Sequence, residues 1–101
     1  MDEFVLKLYV TGQTPRSQRA VANLRRLCDE RLPGQCLVSV VDVLEQPEAA
    51  EADRVLATPT LVRVSPPPVR RVIGDLTDID KVVASLDLHP SWQVPGPSTT
   101  V

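Results

Sequence analysis

One pattern limits the possible folds of this sequence more than any other: two apolar, strand-like runs separated by one amphipathic helical stretch. Residues 4–10 read Phe-Val-Leu-Lys-Leu-Tyr-Val, and residues 36–44 form a nearly continuous β-branched run. Apolar residues recur between them at helical spacing, namely Val21, Leu24, Leu27, Cys28 and Leu32. A strand, a helix and a strand within about 40 residues predict a parallel βαβ unit. Because both runs are apolar on each face, both strands are expected to be buried.

The first helix has recognisable ends. Thr14 is expected to cap its N-terminus, with Pro15 at the first helical position, and Ser17 is the alternative cap. Pro33-Gly34 should end the helix.

The second half of the chain predicts a short helix, a hairpin and a last helix. An Ala- and Glu-rich segment over 47–56 is weakly helical, with a stripe of Ala49, Ala52 and Leu56. Strands over 61–64 and 69–73 are joined by a brief Pro-rich link and should pair antiparallel. Thr77 is expected to cap the last helix, with Asp80 completing a capping box. The apolar stripe of that helix is Ile79, Val82, Val83 and Leu86.

The resulting order, β-α-β-α-β-β-α, is the thioredoxin-like α/β arrangement. The 101 residues suffice for one domain, expected over 1–88. A disordered Pro-rich tail is expected over 89–101.

Charge and hydropathy narrow the range of partners. A net charge of −2 and only three aromatic residues argue against nucleic-acid binding. No apolar run is long enough to cross a bilayer, and the chain opens on acidic residues rather than an apolar leader. We therefore expect a cytoplasmic protein that binds neither membrane nor nucleic acid.

Residues with catalytic potential are few. The loop after the first strand, where redox proteins of this fold carry Cys-x-x-Cys, reads Thr-Gly-Gln-Thr-Pro over 11–15. Cys28 and Cys36 are interpreted as small buried hydrophobic residues, with a disulfide between them as the less favoured alternative. His89 is the only imidazole, and the glycines are scattered. We expect a binding module without catalysis, cofactor or metal.

Four arginines predict a docking surface for carboxylates: Arg54, Arg63, Arg70 and Arg71. Arg70 and Arg71 are adjacent in a strand and should point to opposite faces. Ordinary solvated charge is the alternative for any one of them. Pro59, directly before the third strand, is predicted to follow a cis peptide bond, because a proline at this place in thioredoxin-like folds is held cis; a trans proline that starts the strand is the alternative.

These residues closely resemble the family of the circadian clock protein KaiB. The match runs from about residue 4 to residue 88. It is carried in the first half by residues 6–10, Gly12, Thr14-Pro15, residues 41–44 and Pro47. It is densest in Leu-Ala-Thr-Pro-Thr-Leu over 56–61 and in residues 66–76, and it continues at Lys81-Val82 and 86–88.

The resemblance implies a non-enzymatic adaptor that binds the hexameric ATPase KaiC. KaiA and a competing histidine kinase, SasA, are the further partners it implies. It also implies fold switching between a tetramer with a family-specific α/β fold and a thioredoxin-like monomer that binds KaiC. The two states differ over roughly residues 46–88. Only molecules in the thioredoxin-like state bind KaiC, so the apparent affinity is proportional to the fraction of molecules in that state.

Site residues carry over at matching positions. Arg54 stands where the family has a basic residue important for KaiC binding, Arg70 and Arg71 match its paired arginines, and Arg63 keeps a basic charge.

Three residues are expected to bear on fold switching: Pro59, Ser85 and Asp87. The family commonly reads Gly-Leu-Asp-Leu where this chain has Ser85-Leu86-Asp87-Leu88. Glycine costs about 0.5–1 kcal/mol in a helix, so Ser85 should favour the thioredoxin-like state. An NMR spectrum of a single tetrameric species, without a helix over 78–86, would contradict this. The usual acidic tail is replaced by Pro-rich residues with Trp92, which leaves the oligomeric state open.

The sequence leaves three other functions open. The first is a KaiB-like stress or signalling protein outside a true clock, which the chain alone does not separate from a clock adaptor. The second, less favoured, is an atypical thioredoxin-fold thiol oxidoreductase. The third is a detached sensor domain of a kinase.

Overall fold

The predicted elements occur in the predicted order in the computed structural model, which describes residues 3–88. They are β1 (Phe4–Val10), α1 (Pro15–Arg31), β2 (Cys36–Asp42), α2 (Pro47–Ala52), β3 (Thr60–Ser65), β4 (Arg70–Ile73) and α3 (Ile79–Leu86). The sheet order is β2-β1-β3-β4. β2 runs parallel to β1, while β3 is antiparallel to both β1 and β4. The thioredoxin-like α/β class and the antiparallel hairpin are confirmed; the predicted tail over 89–101 lies outside the described residues.

The N-terminus of α1 follows its sequence closely. Thr14 is the N-cap and its hydroxyl accepts a hydrogen bond from the amide of Ser17 at 3.1 Å, with Pro15 opening the helix. Ser17 is not the cap, because it lies inside the first turn and its buried hydroxyl donates to the carbonyl of Thr11. The helix ends at Arg31, before Pro33, as predicted.

Alternation along β1 divides the core between the two faces of the sheet. Phe4, Leu6, Leu8 and Val10 pack on one face against α1 and α3. Tyr9 lies on the other face, in a smaller cluster beneath α2 whose buried members also include Val41, Ala50 and Val62. The central strand is therefore covered on both sides, as predicted.

The expectation that β2 is buried is wrong. β2 lies at the edge of the sheet, and Leu37, Val38 and Val40 are 53%, 44% and 48% exposed. Only Val41 of this strand is buried. The parallel pairing with β1 was predicted correctly, but no further strand lies outside β2 among residues 3–88.

Two expectations about the later helices also need correction. α2 ends at Ala52 rather than at residue 56, so Leu56 lies outside it. Asp78 caps α3 by accepting from the amide of Lys81 at 3.1 Å, whereas the Thr77 hydroxyl donates to Asp75. Asp80 forms an ion pair with Arg31 rather than a capping box. The buried stripe of α3 is as predicted.

Candidate partner-binding surface

Hydroxyl groups occupy the end of the sheet where redox relatives of this fold carry thiols. Thr11 follows β1, and its hydroxyl is hydrogen-bonded to that of Thr58, across from the loop before β3. The Thr58–Pro59 peptide bond is cis, as predicted. The residues of this loop are thus engaged with one another, and the described part of it holds no nucleophile paired with a base.

Arg71 organises the turn that follows α2. Its side chain extends from the edge strand β4, and one guanidinium nitrogen donates to the carbonyls of Asp53 at 2.7 Å and Arg54 at 3.0 Å. Carbonyl groups at a helix C-terminus lack helical partners and carry partial negative charge, so a guanidinium is well suited to this position. The contact joins two segments that are 17 residues apart and holds Arg54 beside β4.

Beneath this turn, Asp53 is held by two groups of β1. The buried hydroxyl of Tyr9 donates to the Asp53 carboxylate, and the Lys7 ammonium lies 3.7 Å from the same oxygen. Burial, followed by the hydrogen bond to Asp53, raises the pKa of Tyr9 to about 12. The Lys7 ammonium therefore balances the charge of the Asp53 carboxylate on the side of the turn that faces β1. On the outer side of the turn the charged groups are arginines.

The outer side of the turn combines positive charge with exposed apolar groups. Arg54 is exposed and has a φ of 55°, and Leu56 is 95% exposed. Ile73 is 62% exposed on the same face of β4 as Arg71. We name Arg54, Leu56, Arg71 and Ile73 the α2–β4 surface.

Arg70 flanks this surface from the opposite face of β4. It pairs with Arg63, while Arg71 pairs with Val62, so the two arginines point to opposite faces as predicted. Both are exposed.

Arg63 does not belong to the predicted surface patch. It is only 3% exposed, and its guanidinium donates to the carbonyls of Pro68 at 2.7 Å and Asp87 at 3.3 Å. Its Nε has no hydrogen-bond partner. The expectation that Arg63 offers charge to a partner is therefore wrong for this state, because the side chain is used to tie the β3–β4 loop to the end of α3.

The residues assigned to fold switching lie at the ends of elements or on the surface. Pro59 is fully buried before β3, and Ser85 is exposed in the last turn of α3. Asp87 is the C-cap of α3, with a left-handed φ of 54°. Ser85 thus sits in a helix, as expected, and its effect on fold switching stays a prediction.

Sequence reasoning missed three members of the arrangement: Asp53, Leu56 and Ile73. The helical stripe predicted for Ala49, Ala52 and Leu56 overlooks Pro59, which lies three positions after Leu56 and leaves little room for a helix. No pattern in the sequence indicated that Tyr9 and Asp53, 44 positions apart, would meet.

Comparison with known proteins identifies the chain's relatives. The model of the KaiB domain family matches residues 7–88. The circadian clock protein KaiB3 of a Synechocystis strain is 48% identical over 90 residues, which cover 89% of this chain and 88% of that protein. The circadian clock oscillator protein KaiB of Prochlorococcus marinus is 53% identical over 85 residues, covering 84% of this chain and 81% of that protein.

Solved structures agree with the fold. The N-terminal domain of SasA from Synechococcus elongatus superposes with a TM-score of 0.69 at 27% identity, covering 86% of both chains. Mitochondrial thioredoxin 3 from Saccharomyces cerevisiae gives the same TM-score at 18% identity, over 87% of this chain and 81% of that one. The second likeness concerns the fold alone.

Proposed function

Because the chain belongs to the KaiB family, we propose that it is a clock-type adaptor that docks a KaiC-type hexameric ATPase and catalyses no reaction itself. Its homologues are circadian clock proteins, not enzymes. Among residues 3–88, no helix is both long and apolar enough to span a membrane.

One observation carries the proposal: Arg71 fixes the turn after α2 and thereby places two guanidinium groups beside the exposed Leu56 and Ile73. Protein interfaces are enriched in arginine and have an apolar centre surrounded by polar groups. The α2–β4 surface has this composition. Its partner should offer carboxylates around an apolar recess, because guanidinium groups form paired hydrogen bonds with carboxylates.

The thioredoxin-like state is the binding-competent one under this proposal. The turn at Arg54 and strand β4 belong to the half of the chain in which the family's two folds are expected to differ. If only a fraction of molecules has this fold, the apparent affinity falls in proportion to that fraction.

A histidine kinase of the SasA type would compete for the same site. The SasA N-terminal domain has the same overall fold as this chain. Two domains of one shape can exclude each other from a single docking site on the ATPase, which supports competition as the mechanism. KaiA is the remaining partner that the family suggests.

Co-elution of the full chain with a KaiC hexamer, in its ATP-bound and ADP-bound states, tests the proposal. The informative variant is Arg54→Glu/Arg70→Glu, because both side chains are exposed. Within residues 3–88, neither guanidinium forms a hydrogen bond that the substitution would remove. Arg71 is left intact, since its substitution would also release the turn. We expect the affinity to fall at least about tenfold.

The matched control is Arg16→Glu/Arg26→Glu, which makes the same change in net charge on exposed positions of α1. It should co-elute as the unmodified chain does. Equal binding by the two double variants would place the docking site elsewhere. Failure of the unmodified chain to bind in either nucleotide state would contradict the proposed function itself.

A further inference from the structure

Two thiols lie side by side away from the α2–β4 surface. Cys28 is in the last turns of α1 and Cys36 is the first residue of β2. Both are half-buried against the main core, and both line a cavity of about 260 Å³ together with Arg25 and Asp29. They pack against the core as predicted, but each is only half-buried and both residues line this cavity.

The backbone between the two cysteines holds them in place. The amide of Leu32 donates to the carbonyl of Cys28 at 3.0 Å, and the amide of Gln35 donates to Leu32 at 3.0 Å. The amide of Phe4 donates to the carbonyl of Gln35 at 2.7 Å and anchors the start of β2 to β1. The chain thus reverses direction over a short, hydrogen-bonded turn that brings the thiols together.

The two thiols are close enough for Cys36 to act as a hydrogen-bond donor toward Cys28. The bond from Cys36 stabilises a thiolate at Cys28 and lowers the pKa of Cys28. The same bond, with burial, raises the pKa of Cys36. Cys28 is thus the nucleophile of the pair and Cys36 the resolving thiol.

We propose that Cys28 and Cys36 are a redox-active pair, and that a small-molecule disulfide such as glutathione disulfide converts them to an intramolecular disulfide. The Cys28 thiolate attacks one sulfur of the oxidant, forming a mixed disulfide and releasing one glutathione thiolate. Cys36 gives up its proton and attacks the Cys28 sulfur, which releases the second glutathione. One disulfide is reduced to two thiols as two protein thiols are oxidised to one disulfide. A dithiol reductant reverses the process.

Oxidation would covalently cross-link α1 to β2, the edge strand of the sheet. The closed loop spans residues 28–36, and a cross-link there restricts the unfolded chain more than the folded one. The oxidised protein should therefore unfold at a higher urea concentration than the reduced protein. The site is separate from the α2–β4 surface and does not depend on the proposed function.

Incubation of the reduced, folded chain with glutathione disulfide, followed by mass spectrometry, tests the pair. The intact mass should fall by about 2 Da without an adduct, because two hydrogens are lost. Trypsin cuts after Arg26, Arg31 and Arg54, so the disulfide should appear as peptide 27–31 joined to peptide 32–54. Reduction should separate them.

Two single variants distinguish the roles of the thiols. Cys36→Ser should stop at a lasting glutathione adduct on Cys28, since the resolving thiol is absent. Cys28→Ser should react more slowly. The proposal is overturned if the folded chain keeps two free thiols at oxidant concentrations that modify the urea-unfolded chain, or if it forms only disulfides between copies.

Discussion

Tyr9 is the one tyrosine of the chain, and its hydroxyl is buried against the carboxylate of Asp53. Burial, then the hydrogen bond and the charge of Asp53, raise its pKa from 10.0 to about 12. Between those pH values the unfolded chain loses the Tyr9 proton and the folded chain keeps it. The free energy of unfolding therefore falls as pH rises from 10 to 12, by about 2 kcal/mol.

The ultraviolet absorbance of the phenolate measures this directly, because no other tyrosine contributes. Titration should show a midpoint near 12 for the folded protein and near 10 in urea. Tyr9→Phe should remove the extra loss of stability in this pH range, which separates it from general alkaline unfolding. Identical midpoints in the folded and unfolded protein would show that the Tyr9 hydroxyl is neither buried nor bonded to Asp53.

Arg63 of β3 is expected to stabilise the fold, whereas Arg70, its partner on β4, is not. Arg63→Met removes the hydrogen bonds to Pro68 and Asp87 from a guanidinium that is only 3% exposed, which should cost about 2 kcal/mol. Arg70→Met at an exposed position should change stability by less than about 0.5 kcal/mol. Urea unfolding measures both. Equal losses would mean that the buried contacts of Arg63 contribute nothing.

Single residues also show how far the sequence predicts the site. Alternation along β3 puts Arg63 on the same face as Leu61, which is a core face, yet its charge suggested the surface. Arg71 and Arg54 were predicted as surface residues, but their contact depends on how the turn after α2 folds onto β4. Such a contact is tertiary, and no local pattern encodes it.

At the scale of elements, α3 is where the balance between folds is expected to be set. Ser85 is exposed in its last turn, so Ser85→Gly changes helix propensity with little effect on packing. We expect a loss of about 0.5–1 kcal/mol, which lowers the population of the thioredoxin-like state two- to fivefold relative to any competing fold.

The comparison with Ser85→Ala isolates propensity, because alanine favours a helix and fits the same exposed site. Urea unfolding and NMR resonances of residues 79–86 should rank alanine above serine and serine above glycine. If glycine matches or exceeds serine in stabilising this helix, Ser85 does not bias the fold.

β2 shows what element-level patterns predict and what they omit. Its β-branched residues correctly indicated a strand parallel to β1, since the intervening helix requires a crossover. Its burial was overestimated, because apolar residues on both faces suit a central strand but do not reveal how many strands follow. Within residues 3–88, β2 is an edge strand, and the sheet extends from β1 on the other side through β3 and β4.

For the whole molecule, the fold and the function are supported by different observations. The thioredoxin-like scaffold is shared with SasA and with thioredoxins. In this chain the loop after β1 carries no cysteine, and Arg71 of β4 holds the turn after α2 that carries Arg54. The central claim is that this turn is the contact with an ATPase ring.

Hydrogen–deuterium exchange of the full chain, with and without a KaiC-type hexamer, tests that claim most directly. The turn over 53–58 should become protected in the complex, because Arg54 and Leu56 would be covered. The turn over 33–35 lies at the opposite end of β1, where Phe4 bonds to Gln35, and should exchange unchanged. Protection of 33–35 with no change over 53–58 would contradict the claim.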